Sequence, residues 1–125
     1  MTQRNRLVCL TLSLVILGGV LGACGPDTIF LRPMLDTPAQ HVKNGHSLLE
    51  REKIDAANAE FMRAKGLDDT YSPAYVGLAL VQGLQGDVDE GLEILDQARD
   101  LAKTPEEIEA VEEGIMQLKI MREAK

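Results

Sequence analysis

One acidic run, residues 87–90, carries carboxylates at the spacing with which a calcium-binding loop begins. Such a loop needs a glycine at its sixth position and a bidentate carboxylate at its twelfth. Leu92 and Ala98 occupy those positions, so no calcium site is expected. Asp87 is instead predicted to cap the helix that follows, with Glu90 three residues later completing a capping box.

Two histidines and a serine are the other candidates for chemistry. His41 and His46 are five residues apart, which does not bring both to one helix face, and no zinc motif accompanies them. Ser47 lacks the strand and the Gly-x-Ser-x-Gly turn that expose a nucleophile. We therefore expect no metal, no cofactor and no enzymatic activity. His41 is expected to contact the core or a neighbouring helix.

Cys24 closes an N-terminal segment in which a short basic stretch, residues 1–6 with Arg4 and Arg6, precedes an apolar run, residues 7–20. This order is typical of a secretory signal peptide. The four residues Leu21, Gly22, Ala23 and Cys24 resemble the bacterial lipobox. The resemblance implies that residues 1–23 are removed, that the Cys24 thiol receives a diacylglyceryl group and that the new amine is acylated, for example with palmitate. The alternative is an uncleaved single-pass anchor, for which the apolar stretch of about 17 residues from position 7 to position 23 is near the lower limit.

Lipidation would attach the chain to a membrane of the bacterial cell envelope. Each acyl chain contributes about 0.8 kcal/mol of membrane-binding free energy per buried CH₂, so several chains would anchor the protein stably. The domain is expected on the periplasmic side. Gly25, in place of the Asp that marks inner-membrane retention, favours the outer membrane. Cys9 lies in the removed run and Cys24 carries lipid, so no disulfide is expected.

The rest of the chain is strongly acidic. After residue 23 there are 20 acidic and 11 basic residues, a net charge of −9. Nucleic-acid phosphates bind basic patches, so a nucleic-acid partner is not expected. The acidity either keeps the domain soluble or suits a basic partner.

Apolar residues after Pro38 follow helical rather than strand spacing, which predicts an all-α domain over residues 39–125. Residues 24–38 contain three prolines and no period, and they are predicted to form a flexible tether. Within it, Ile29-Phe30-Leu31 either rests on the membrane interface or docks on the helices. Thr104, Pro105 and Glu107 predict a last helix that begins with a capping box. The predicted helices span residues 39–52, 54–66, 73–84, 88–102 and 105–122.

Two parts of the predicted helical domain repeat at a constant offset, which we call the repeat spacing. Residues 51–64 align with residues 85–98, so that Phe61 coincides with Leu95. This offset equals the helix–turn–helix period of about 34 residues that is the tetratricopeptide signature. On these residues the chain resembles the tetratricopeptide repeat (TPR) family, with repeats at about 38–71 and 72–105, and the last helix is interpreted as a cap. The small residues that this family needs where its helices cross would be Gly45, Ala57, Ala64, Ala79, Gly91 and Ala98.

The TPR resemblance implies a concave face built from the first helix of each repeat. Because Leu78 and Ala79 already supply inward packing, the stripe formed by Val76, Leu80 and Leu84 is expected to stay partly exposed. Leu80→Glu should therefore leave the melting temperature nearly unchanged. The residues carried over to this face are Val42, His46, Leu49, Val76, Leu80, Gly83 and Leu84.

Together these features predict a membrane-tethered protein–protein interaction module that binds a peptide or a helical segment of a partner. By resemblance to TPR lipoproteins, it is expected to be an adaptor or assembly factor for an envelope complex such as a pilus, a secretin or the outer-membrane machinery. The alternative is a structural lipoprotein that self-associates into a homo-oligomer and serves as a spacer, without a peptide groove.

Overall fold

The computed structural model describes residues 36–124, and over this range the chain is all-α. Its helices are α1 (Pro38–Leu49), α2 (Ile54–Leu67), α3 (Ser72–Gln85), α4 (Val88–Leu101) and α5 (Pro105–Glu123). The predicted helix ends are confirmed to within one residue except for α1, which ends three residues earlier than predicted. The lipobox and the predicted tether as far as residue 35 lie outside the described residues. No helix within residues 36–124 is long and apolar enough to cross a membrane.

The two turns inside the helix pairs share one backbone geometry at positions that the repeat spacing relates. Glu52 has a φ of 58° and Gly86 a φ of 105°, both in the left-handed region. In each turn, this residue and the next one donate their amides to carbonyls of the preceding helix, which closes a Schellman motif. The left-handed residue stops α1 before Glu52. The bonds are Glu52 N to Leu49 O at 2.9 Å, Lys53 N to Leu48 O at 2.9 Å, Gly86 N to Gly83 O at 3.1 Å and Asp87 N to Gln82 O at 2.9 Å.

Threonines cap two of the helices. Thr37 Oγ1 accepts a hydrogen bond from the Gln40 amide, and Thr104 Oγ1 accepts one from the Glu107 amide, both at 3.2 Å. The Glu107 carboxylate accepts from the Thr104 amide in return, so the capping box predicted for the last helix is confirmed. The box predicted at Asp87 is wrong, because its side chain accepts no capping bond. Its ψ is 61°, against 155° at Thr104, since its amide closes the preceding turn.

The helices pack in pairs, α1 with α2 and α3 with α4, and α2 packs on α3 to join the pairs. Glycines allow the close approach at the centre of this packing. A Cβ added at Gly45 would lie 2.5 Å from the Phe61 ring, and one added at Gly77 would overlap it. Phe61 is therefore fully enclosed between α1 and α3. Leu95, one repeat spacing after Phe61, is equally buried between α3 and α5.

The last helix, α5, packs on both α3 and α4 and completes the core. Val111 and Leu118 are fully buried there. Ile108 is 48% exposed, and Met116 and Ile120 are exposed as well. The outer side of α5 is therefore partly apolar. The helix also carries four exposed acids, Glu106, Glu109, Glu112 and Glu113.

Candidate partner-binding cavity

A cavity of about 420 Å³ lies between α1, α3 and α5. Its volume is within the range of ligand-binding pockets in proteins. The residues that line it are His46, Leu49, Glu50, Pro73, Val76, Leu80, Ala110, Glu113, Gly114 and Gln117.

The floor of the cavity is apolar and its rim is polar. Val76 and Leu80 are 6% and 9% exposed and form the floor together with the buried Gly114. Glu50 and Glu113 are exposed at the rim. Such a cavity can hold an apolar side chain of a ligand and leave the polar flanks of that ligand at the edge.

Four of the seven residues predicted for the concave face line this cavity: His46, Leu49, Val76 and Leu80. The structure places the other three elsewhere. Val42 is 8% exposed and belongs to the core around Phe61. Gly83 is buried against Leu118, and Leu84 is 45% exposed outside the cavity lining.

The expectation that the stripe Val76, Leu80 and Leu84 stays partly exposed holds only for Leu84. Val76 and Leu80 are buried because α5 packs over their side of α3. The burial of Leu80 removes the basis for the expected tolerance of Leu80→Glu. A carboxylate at this position would be buried without a partner, and we expect it to lower the melting temperature.

The contribution of α5 was missed by the sequence analysis. One repeat spacing beyond two of the predicted concave positions on α3 lie further lining residues, Ala110 after Val76 and Gly114 after Leu80. The same spacing relates His46 to Leu80. Interpreting α5 as a cap hid this relation, because the helix begins one residue early relative to the repeat. Ala110 and Gly114 nevertheless keep the repeat spacing.

The rim of the cavity is acidic. None of the ten described residues that line it is Lys or Arg. The His46 ring packs edge-to-face on Phe61, with 5.3 Å between the ring centroids. Burial lowers the pKa of His46, and the nearby Glu50 offsets this only in part, so the neutral imidazole is favoured. The carboxylates of Glu50 and Glu113 thus set the charge of the rim.

A second polar cluster ties the start of α1 to α2. His41 Nδ1 lies 2.7 Å from Glu60 Oε2, and its Nε2 lies 2.8 Å from Asp36 Oδ1. Arg63 donates to the second oxygen of Asp36 at 2.6 Å. His41 therefore makes the interhelical contact predicted for it. Asp36, Thr37 and Pro38, assigned to the flexible tether, are instead fixed to the helices.

The pKa values in this cluster shift in opposite directions. Burial would lower the pKa of His41, but the hydrogen bonds to Asp36 and Glu60 outweigh it, and the pKa is raised. The Arg63 guanidinium, followed by His41, lowers the pKa of Asp36. Both shifts favour the ionised pair. Among residues 36–124, no group of three or more His, Cys, Asp or Glu side chains could hold a metal ion.

No protein-family model matches this chain, and no curated protein matches it either. The chemistry of the cavity and the sequence motifs are the basis on which a function can be inferred.

Proposed function

We propose that this chain is a membrane-tethered interaction module of the TPR type, which holds a segment of a partner protein in the cavity between α1, α3 and α5. The observation that carries the proposal is that positions one repeat spacing apart on α1, α3 and α5 line one cavity. The recurrence of the left-handed turn at Glu52 and Gly86 with the same spacing supports a repeat architecture.

The anchor in this proposal is lipid on Cys24. Leu21, Gly22 and Ala23 before it resemble a lipobox, and the apolar run ahead of them suits a signal peptide. The partner would then belong to a complex of the cell envelope, such as a pilus, a secretin or the outer-membrane machinery. The chain would act there as an adaptor or assembly factor rather than an enzyme.

Lipidation is tested by feeding cells labelled palmitate and comparing the wild-type chain with Cys24→Ala. The label should enter the wild-type chain and be absent from the variant, because the thiol and the amine of this residue are the proposed acylation sites. Equal label in both chains would exclude the lipoprotein assignment.

The binding cavity is tested by photo-crosslinking in cells. A photoreactive phenylalanine analogue is placed at Gln117, which is exposed at the cavity rim, or at Met116, which is 61% exposed and does not line the cavity. These neighbours share a helix but lie on different sides of it. We expect a discrete adduct with another protein from position 117 and none from position 116.

The two positions also separate the proposed function from its alternatives. The same adducts from both positions, or no adduct from either, would contradict partner capture by the cavity. Adducts are compared by mass, so that a crosslink to a second copy of this chain is distinguished from one to a different protein.

A second candidate is a structural lipoprotein that self-associates through the outer side of α5. The exposed Ile108, Met116 and Ile120 favour it, because exposed apolar patches on soluble domains often mark interaction sites. Sedimentation over a range of concentrations tests this candidate. A dimer that Ile120→Ser dissociates would support it, as would an adduct of twice the chain mass from position 116 alone.

A further inference from the structure

Among the described residues, the two carboxylates at the cavity rim have no cationic partner, whereas several other acids of the domain are paired. Asp36 pairs with Arg63, Glu112 pairs with Arg99, and Asp89 pairs with Arg122. Glu50 and Glu113 form no salt bridge with any residue in the range 36–124. No Lys or Arg of the described residues lines the cavity, so a bound segment can supply the complementary positive charge.

The apolar floor gives a second, independent requirement. Val76 and Leu80 form a floor that water wets poorly, and the cavity above it has a volume of about 420 Å³. An aromatic or branched aliphatic side chain would fill this space and gain free energy by leaving water. The floor lies beside the two unpaired carboxylates of the rim, so that one ligand segment can meet both features.

The same chemistry excludes other ligands. A C-terminal carboxylate or an acidic segment would meet Glu50 and Glu113 without any lining cation to pair with. Lipid and nucleic-acid phosphates would be repelled in the same way.

We propose that the occupant of the cavity is a partner-protein segment in which an aromatic or branched aliphatic side chain is flanked by Lys or Arg. The apolar side chain fills the floor at Val76 and Leu80. The flanking cations pair with Glu50 and Glu113. This inference rests on the proposed function, because it specifies the chemistry of the segment that the same cavity binds.

The test measures the binding of short blocked peptides to the full chain in a non-ionic detergent by titration calorimetry. One peptide carries Phe-Leu between lysines, the second carries Phe-Leu between glutamates, the third carries Phe-Leu between serines, and the fourth carries Ala-Ala between lysines. We expect the lysine-flanked Phe-Leu peptide to bind most tightly. The Ala-Ala peptide should bind about 10- to 100-fold more weakly, because it lacks the apolar side chains.

Matched variants of the chain locate the charge effect. The double substitution of Glu50→Gln and Glu113→Gln should weaken the lysine-flanked peptide about 3- to 10-fold and reduce the salt dependence of its binding. It should leave the serine-flanked peptide unchanged. Glu109→Gln is the control, since Glu109 is exposed on the same helix but does not line the cavity. All three positions are exposed, so the fold should tolerate these changes.

The outcomes separate this inference from the proposed function. Equal binding of the lysine- and glutamate-flanked peptides, with the Ala-Ala peptide still weak, would overturn the cationic flank and leave the cavity as the binding site. No saturable binding of any peptide up to about 1 mM would overturn the inference, while crosslinking at Gln117 tests the proposed function separately. Binding that appears only after Ile29, Phe30 and Leu31 are changed to Ser would identify this chain's own segment as the occupant and overturn a partner in trans.

Discussion

Glu52 adopts a left-handed backbone conformation that Gly86 adopts in the equivalent turn. This conformation costs an ordinary L-residue about 1–2 kcal/mol, whereas glycine adopts it freely. Glycine also increases the conformational entropy of the unfolded chain, which offsets about 0.4–1 kcal/mol of this gain in stability. We expect Glu52→Gly to raise the free energy of unfolding by about 0.5–1 kcal/mol, measured by denaturant titration.

The reverse substitution is the control for this prediction. Gly86→Ala places a side chain at a φ of 105° and should lower the free energy of unfolding by about 1 kcal/mol or more. If both variants lose stability, Glu52 contributes an interaction that its backbone geometry does not reveal.

His41 makes stability depend on pH in the neutral range. Its pKa is raised in the folded state by Asp36 and Glu60, so the stabilisation is fully present below about pH 6.5, its value in an unfolded chain, and is lost as the pH rises through the folded pKa. Asp36 acts in the acidic range instead. Its pKa is lowered in the folded state, so its stabilisation is lost only as the pH falls through that pKa. We expect the melting temperature to fall between pH 6 and pH 9, measured by circular dichroism, and His41→Gln to flatten that fall.

His46 provides the matched control for the pH prediction. Burial lowers its pKa, so its contribution is present above the unfolded pKa and is lost as the pH falls. His46→Gln should therefore leave the alkaline fall in melting temperature unchanged. An alkaline fall that persists in His41→Gln would assign it to another group.

At the scale of the helices, the closeness of α2 to α1 and α3 depends on missing side chains. A Cβ at Gly77 would overlap the Phe61 ring, which is fully buried and has no room to move. Overpacking of this kind costs about 1–3 kcal/mol. We therefore expect Gly77→Ala to lower the melting temperature by about 4–20 °C.

Gly66 is the control for this prediction because it lies in a helix and has nothing within 4 Å of an added Cβ. Alanine there should raise the free energy of unfolding by about 0.5–1 kcal/mol, since it favours the helix. Similar melting temperatures for the Gly77→Ala and Gly66→Ala variants would show that α2 and α3 pack more loosely than in this structure.

At the scale of the whole molecule, the domain depends on α5 for a closed core. Deleting residues 105–125 removes the fully buried Val111 and Leu118 and uncovers Val76 and Leu95. Each buried aliphatic side chain contributes about 1.5–3 kcal/mol, against a total of about 5–15 kcal/mol for a typical domain. We expect the truncated chain to lose its cooperative thermal transition, followed by circular dichroism. A cooperative transition near the full-length temperature would show that the two helix pairs fold without α5.

The sequence by itself determined the all-α class, the order of the five helices and the repeat spacing. These follow from local patterns, because apolar periodicity, a proline at a helix start and the Thr104 capping box act within a few residues. The same patterns misplaced the end of α1 and the cap at Asp87. In both places the backbone of a tight turn decided the outcome. Glu52 is left-handed, and the Asp87 amide donates to the Gln82 carbonyl of the preceding helix.

Only the tertiary structure decided which apolar residues are buried and which line a cavity. A helix position carries no record of what packs over it, so Val76, Leu80 and Leu84 looked alike in the sequence. The placement of α5 across α3 then buried the first two and left the third exposed. The acidic rim also depends on the tertiary structure. Glu50 and Glu113 are distant in the chain, and both line one cavity only because α1 and α5 face it.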